Sequence, residues 1–263
     1  MFLSVQNLTC GYAKVPVLKN ITFQLEKGKV LGVVGPNGSG KTTLIRAITR
    51  TLKPFFGKII FEGRDIYQMG FKEFARKVAV VSQNLPAGEF TLEEFVLLGR
   101  IPHFGRLQFL ERESDLASAK KAILLTGISE LQSRRLEEMS GGEKQLASIA
   151  RALCQEPSLL ILDEPTAHLD IAHQVIVLNL LRKLNRELSL TVLMVIHDLN
   201  LASQYCDQII LLSKGEIKKF GLPEEVLTYQ TIEEVYQTAV VVAPSPVSGK
   251  PYVFVVPFHP PLH

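Results

Sequence analysis

Three things are scarce in the 263 residues: cysteine, a charge excess of either sign, and long apolar runs. The cysteines, Cys10, Cys154 and Cys206, are odd in number, far apart and without metal-ligand spacing. They fit a reducing compartment better than a secreted disulfide framework, and read most simply as small buried apolar residues. Lysine and arginine total 29 against 26 acidic residues, a balance of +3. That is too little to mark a dedicated nucleic-acid or anionic-membrane binder, so no nucleic-acid partner is expected. No run approaches the ~20 apolar residues of a membrane helix, and the N-terminus has no basic segment followed by an apolar core. A soluble chain is expected, meeting any membrane through a partner. At 46% hydrophobic, the length suffices for one large domain or a domain carrying a subdomain.

Four apolar runs of strand length stand out: KVLGVV from Lys29, KVAVV from Lys77, LLIL from Leu159 and TVLMVI from Thr191. They are nearly continuous rather than alternating, as in strands covered on both faces of a mainly parallel sheet, which predicts an α/β fold. Each run ends in polar or glycine-rich sequence: GPNGSGKT, Ser82-Gln83, Asp163-Glu164 and His197-Asp198. Ligands of open parallel sheets bind beyond the carboxyl ends of the strands, so these four endings are the expected site. Between Gln83 and Pro157 the strand pattern lapses, and TLEEFVLLG and SDLASAKKAILLTG read as helices, predicting an inserted helical subdomain over about 84–156. After Gly215 come a strand, one short helix over PEEVLTYQTIEEVY, and a hairpin of TAVVVAP and PYVFVVPF.

GPNGSGKT comprises Gly35, Pro36, Asn37, Gly38, Ser39, Gly40, Lys41 and Thr42, with Thr43 next. It matches the glycine-rich phosphate loop, with a strand before it and an apolar-periodic helix after it. Glycines let backbone N–H groups curl around the β-phosphate, Lys41 adds a point charge, and the Thr42 hydroxyl suits magnesium. At the end of LLIL, the carboxylate of Asp163 can hold the magnesium shell and Glu164 can polarise a water, although an Asp-Glu pair is also a common solvated turn. His197, at another strand end, can contact a γ-phosphate or serve as a packing residue. In MSGGE, Ser140 and Glu143 have capping-box spacing. Gly141 and Gly142, costly in a first helical turn, clear space at an anion-attracting helix N-terminus. Since the first loop already serves this chain's own nucleotide, the second suits one held by another molecule.

In this order and at these distances, GPNGSGKT, Gln83, MSGGE, LLILDEPTAHLD and His197 resemble the ATP-binding subunit of an ABC transporter, over nearly the whole chain. The resemblance implies a P-loop NTPase core with a mainly parallel sheet, an antiparallel β subdomain and the inserted helical subdomain. The ATPase domain then occupies 1–240, and 241–263 is a β-rich extension. ATP and Mg2+ are the implied ligands. Two copies pair head to tail as a homodimer, Ser140, Gly141 and Gly142 of one closing over ATP in the phosphate loop of the other. The same match gives Gln83 to magnesium and the attacking water, Glu164 to general base, His197 to the γ-phosphate, Asp170 to a loop crossing the interface, and Tyr12 to stacking on adenine. Met139, Glu143 and Leu146 depart from the usual signature. Glu143 beside a polyphosphate would repel it unless its carboxylate caps the Ser140 N–H, which is the favoured reading.

His168, where many relatives have serine, is similar to importers of the iron-siderophore, haem and cobalamin class, as are LGRIPHFGR and HDLNLASQYCD. The resemblance then implies a peripheral subunit on the cytoplasmic face of the membrane, two integral-membrane permease partners, and an external substrate-binding protein reached through them. An ABC motor for another cargo and a soluble ABC ATPase, such as one of cluster assembly, are the alternatives. LGRIPHFGRL lies where this family receives a helix of the membrane subunit. Phe104 is the expected anchor there, beside His103, with Arg100 and Arg106 free to pair with acidic groups or helix-end carbonyls of that partner; a solvated basic loop is the plainer reading.

Overall fold

The computed structural model describes residues 2–83, 88–105, 108 and 110–257. They form two compact units, Met1–Ile66 with Leu193–His263, and Tyr67–Val192. In the first, β1 (Leu3–Tyr12) and β2 (Val15–Leu25) make an antiparallel hairpin. Its turn is Ala13-Lys14, both at positive φ, the conformation that matches the twist of the flanking strands. β3 (Val30–Val34) is buried at all five positions and leads through the 35–40 loop into α1 (Lys41–Ile48). β4 (Phe56–Phe61) pairs antiparallel with β1, and the short β5 (Arg64–Asp65) pairs with β4, giving the sheet order β2-β1-β4-β5.

The second unit holds α2 (Phe71–Lys77), β6 (Val78–Val81), α3 (Leu92–Leu97), a 3-10 segment over Leu98–His103, α4 (Glu113–Thr126), α5 (Gly141–Cys154), β7 (Leu159–Asp163) and α6 (Ile171–Leu188). Thr91 opens α3 with the capping box its spacing predicts, paired reciprocally with Glu94. Gly127, in the left-handed conformation, ends α4. α3, α4 and α5 pack together through Phe95, Val96, Ala119, Ile123 and Ile149, all nearly inaccessible. β6 and β7 run parallel, Val78 opposite Leu159 through Val81 opposite Leu162. This pairing, with α6, puts strands as well as helices into the second unit, so its bounds differ from the expected 84–156 insert.

The remaining elements are β8 (Thr191–Val195), α7 (Leu199–Tyr205), β9 (Gln208–Ser213), β10 (Glu216–Gly221), α8 (Pro223–Val226), α9 (Tyr229–Tyr236), β11 (Val240–Pro244) and β12 (Pro251–Val255). In the first unit the strand order is β10-β9-β3-β8, with β9 parallel to β3 and β10 antiparallel to β9. PEEVLTYQTIEEVY forms two helices rather than the single one expected. The Thr228 hydroxyl accepts the Thr231 N–H at 3.3 Å and so starts a second helix where the first has ended. β11 and β12 form the expected C-terminal hairpin. It is fastened to α7: Asn200 Nδ2 donates to the Val253 carbonyl at 3.1 Å, Val253 N–H donates to Asn200 Oδ1 at 2.7 Å, and Ser203 Oγ donates to the Pro251 carbonyl at 2.6 Å.

Candidate functional site

The loop after β3 is shaped by its own chain. Gly35 has φ 151°, and a Cβ there would lie 2.0 Å from the Leu212 carbonyl oxygen, so only glycine fits against β9. Gly40, left-handed at φ 107°, is the N-cap of α1 and supplies no side-chain cap, which leaves the first amides of the helix directed out of the loop. Lys41 is buried, and its Nζ donates to the carbonyls of Gly35 at 2.8 Å and Pro36 at 3.0 Å, so the amine is held inside the loop's curve. Ser39 is 2% exposed, and among the described residues its Oγ has no hydrogen-bond partner. An orphaned buried hydroxyl, a cationic amine and an uncapped helix terminus together fit a polyphosphate. Thr42, Asn37 and Gly38 are exposed, Pro36 is half-buried, and Thr43 is buried within α1.

Two further residues of the first unit were expected at the site. Tyr12 ends β1 with 42% of its surface exposed. Its hydroxyl accepts from Arg46 Nη1 at 2.8 Å, and the Arg46 guanidinium carbon stands 5.9 Å from the ring centroid. The ring is thus oriented by α1 yet open to a flat ligand. His197 follows β8, where Ile196 N–H donates to the Val33 carbonyl at 3.2 Å, which puts it at the carboxyl end of β3. It is exposed there.

In the second unit the parallel register of β6 and β7 brings their polar ends together. Gln83 Nε2 donates to Glu164 Oε2 at 3.0 Å. Glu164 sits at φ 53°, a left-handed conformation that costs a side chain about 1–2 kcal/mol and directs the carboxylate from a sharp turn, closed by Ala167 N–H on the Glu164 carbonyl at 3.1 Å. Asp163 is half-buried at the end of β7. His168, also left-handed and exposed, and Asp170 stand in the same loop. Gln174 Nε2 braces that loop from α6 by donating to the Leu169 carbonyl at 3.0 Å. At the start of α5, Ser140 Oγ accepts the Glu143 N–H at 3.3 Å and Glu143 Oε2 accepts the Ser140 N–H at 2.7 Å. The Ser140 amide holds the Glu143 carboxyl below its usual range, so this acid is engaged in the capping box as expected.

The expected docking residues need correction. Arg100 is 7% exposed, not free for a partner. Its Nε pairs with Asp115 at 3.0 Å, its Nη1 with Glu156 at 2.8 Å and with the Cys154 carbonyl at 2.9 Å. The pairing crosses fifteen and more residues, which local sequence cannot reveal. His103 is likewise engaged, its ring Nε2 on the Gln155 carbonyl at 2.9 Å, and Phe104 is half-buried. Arg106 lies outside the described residues. Among the apolar side chains that remain exposed are Leu98 at 37%, Ile101 at 55% and Phe71 at 76%. Lys72 and Arg76 of α2 donate to the carbonyls of Phe104 and Pro102, so α2 lies along the 98–104 segment. Spacing does not single out Phe71: it lies three residues from Phe74 on α2, yet only Phe74 is buried. Arg100→Ala is therefore expected to lower stability by roughly 3 kcal/mol, seen as a fall in the thermal midpoint, because Asp115 is left buried without its cation. The folded Asp115 carboxyl lies below its usual range, burial being outweighed by the Arg112 amide, Arg100 and Gln108. Its contribution is thus present above the ordinary carboxylate range and is lost as pH falls through the lowered value.

The three cysteines are buried and unbridged. Burial pushes the Cys10 thiol up to about 11 and that of Cys154 up to about 12, the behaviour of inert packing residues. No helix among the described residues is long and apolar enough to cross a membrane.

Comparison with known proteins agrees with this geometry. Residues 18–167 match the ABC transporter family. The chain is 39% identical over 252 residues to the ferric enterobactin transport ATP-binding protein FepC of Escherichia coli (strain K12), covering 94% of this chain and 92% of that protein. It is 38% identical over 254 residues to the iron(3+)-hydroxamate import ATP-binding protein FhuC of Bacillus subtilis (strain 168), covering 95% and 93%. Among solved structures, a metal-chelate type ABC transporter in an inward-facing conformation superposes with a TM-score of 0.84 at 30% identity, over 97% of each chain. The ADP conformation of MJ1267, an ATP-binding cassette of an ABC transporter, gives 0.80 at 28% identity, over 90% of this chain and 97% of that one. With its phosphate loop, its strand-end carboxylates and this likeness along nearly its whole length, the chain belongs to the ABC transporter family, as one of its ATP-hydrolysing subunits.

Proposed function

We propose that this subunit is the motor of an importer for metal chelates of the iron-siderophore, haem or cobalamin class. It works as a homodimer on the cytoplasmic face of the membrane, beneath two integral-membrane permease subunits that an external substrate-binding protein supplies. The observation that carries the motor reading is the phosphate loop with its uncapped α1 terminus and inward-held Lys41. The cargo class is supported by the relatives named ferric enterobactin and iron(3+)-hydroxamate transporters. In the cycle, Lys41 and the amides after Gly40 take the phosphates, and Tyr12 stacks on the adenine. Magnesium, when bound, neutralises charge that develops on the transferred phosphoryl group; Thr42, Asp163 and Gln83 are the residues to hold it. Glu164, kept in place by Gln83, accepts a proton from the attacking water, and His197 contacts the γ-phosphate. Ser140 and Gly141 of the partner copy close the site, and Gly141 has open space above it for that purpose. His168 and Asp170 stand at the dimer interface.

The membrane partner docks on Phe71 and Ile101, two exposed apolar side chains of neighbouring segments. Changing both to aspartate is expected to abolish co-purification with the permease and stop uptake, while ATPase activity of the isolated subunit stays within about twofold, since neither residue is assigned to the nucleotide site. Full assembly of that variant would move docking elsewhere. No membrane partner at all for the native chain, on the other hand, would favour a soluble role such as cluster assembly. Uptake of labelled iron delivered as catecholate, hydroxamate or haem complexes, and of labelled cobalamin, then sorts the cargo. Transport of none of them would refute the cargo class.

A further inference from the structure

The two glycines that open α5 have different surroundings. A Cβ added at Gly141 meets no atom within 4 Å. At Gly142 it would fall 2.2 Å from Cδ2, 2.8 Å from Cγ and 2.9 Å from Nε2 of His173, far inside van der Waals contact. That imidazole is fixed from its other side. Its Nδ1 donates to Asp170 Oδ1 at 2.8 Å, and the same oxygen accepts the His173 backbone N–H at 2.8 Å as the N-cap of α6. The ring cannot swing off Gly142 without giving up the bond to Asp170. Glycine in a helix is otherwise unfavourable compared with alanine. At Gly142 the atoms that demand it belong to this chain, whereas at Gly141 no described atom does.

We propose that His173 is a positioning residue that holds the Asp170 loop in register with the helix begun by Ser140, and that Gly142 is glycine in order to seat its ring. Two segments assigned to the dimer interface are then set by one imidazole: Asp170 directly, and the Ser140 turn through Gly142. Displacing the ring uncouples them, so that the interface must be reassembled from two independently placed loops on every closure. This rests on the reading of Ser140 and Asp170 as interface residues.

Two measurements test it separately. Without nucleotide, Gly142→Ala should lower the thermal midpoint by roughly 2–10 °C through overpacking, and adding His173→Ala in the same chain should return at least half of that loss. With nucleotide, dimer formation is followed by light scattering in a Glu164→Gln background that holds ATP. There His173→Ala should need about tenfold more ATP for half-dimerisation, a coupling of ordinary size, while ATP binding by the monomer is unchanged. His173→Asn, whose amide can reach Asp170, should recover part of the difference; a role in general stability alone would move the midpoint without moving the ATP requirement. The proposal is overturned if Gly142→Ala is as damaging with alanine at position 173 as with histidine, or if His173→Ala dimerises at the parent's ATP concentration. A parent that fails to dimerise with ATP would refute the dimer reading instead, and the proposal then stands or falls on the unfolding comparison.

Discussion

Replacing Glu164 with glutamine is expected to cut steady-state ATP hydrolysis at least a hundredfold, within the roughly 10²–10⁴ that a positioned general base contributes. Nucleotide binding should survive. The replacement is isosteric, and its amide oxygen can still accept the Gln83 Nε2–H bond that Glu164 Oε2 receives at 3.0 Å. The left-handed turn at φ 53° is a property of the backbone and tolerates either side chain equally. What is lost is the capacity to take a proton. Single-turnover phosphate release measured beside equilibrium ATP binding separates the two steps. A variant that turns over at the native rate would exclude Glu164 as the base and leave Gln83 holding a structural carboxylate.

Lys41→Ala should act one step earlier, on binding itself. Charge-assisted hydrogen bonds contribute about 1.5–3 kcal/mol each, so loss of the amine predicts an ATP affinity roughly 10–150-fold weaker and hydrolysis near background. The change also takes the Nζ donor from the carbonyls of Gly35 and Pro36, which hold it at 2.8 and 3.0 Å, so the loop loses its internal brace together with its charge. Lys41→Arg separates these effects: the charge is kept, but the guanidinium is too large for a buried position that is 6% exposed. Equilibrium binding of ATP to the isolated subunit reads both variants. Native affinity in Lys41→Ala would remove the loop from the phosphate site.

Local periodicity and spacing made most of this legible in the sequence. The nearly continuous apolar runs became β3, β6, β7 and β8, strands buried at almost every position, with Val80 of β6 exposed. The capping boxes at Thr91 and Ser140 formed as spaced, being contacts between residues three apart. Arg100 escaped because its partners, Asp115 in α4 and Glu156 in the turn after α5, lie far along the chain, and a buried arginine in a glycine-rich stretch looks the same as an exposed one until the fold is known. His173 escaped for a related reason. Its Asp170 contact is local, whereas its meaning comes from Gly142, thirty-one residues earlier. His197 carried two readings in the sequence, because a strand-end histidine has the same local pattern whether it meets a ligand or a neighbouring side chain.

The C-terminal hairpin has one outcome already written into α7. Asn200 presents its amide to Val253 as donor and acceptor at once, the pattern a neighbouring strand would offer at a single residue. A two-stranded ribbon is marginal by itself and can slide, and a slip of one position exchanges its inner and outer faces. Here Val253 is buried while Tyr252 and Phe254 are exposed, so sliding would carry an aromatic ring inward and strand the asparagine. Asn200 thus serves as a peg that fixes the reading frame of the tail, and a valine there would free β12 to pair out of step or with another molecule's edge.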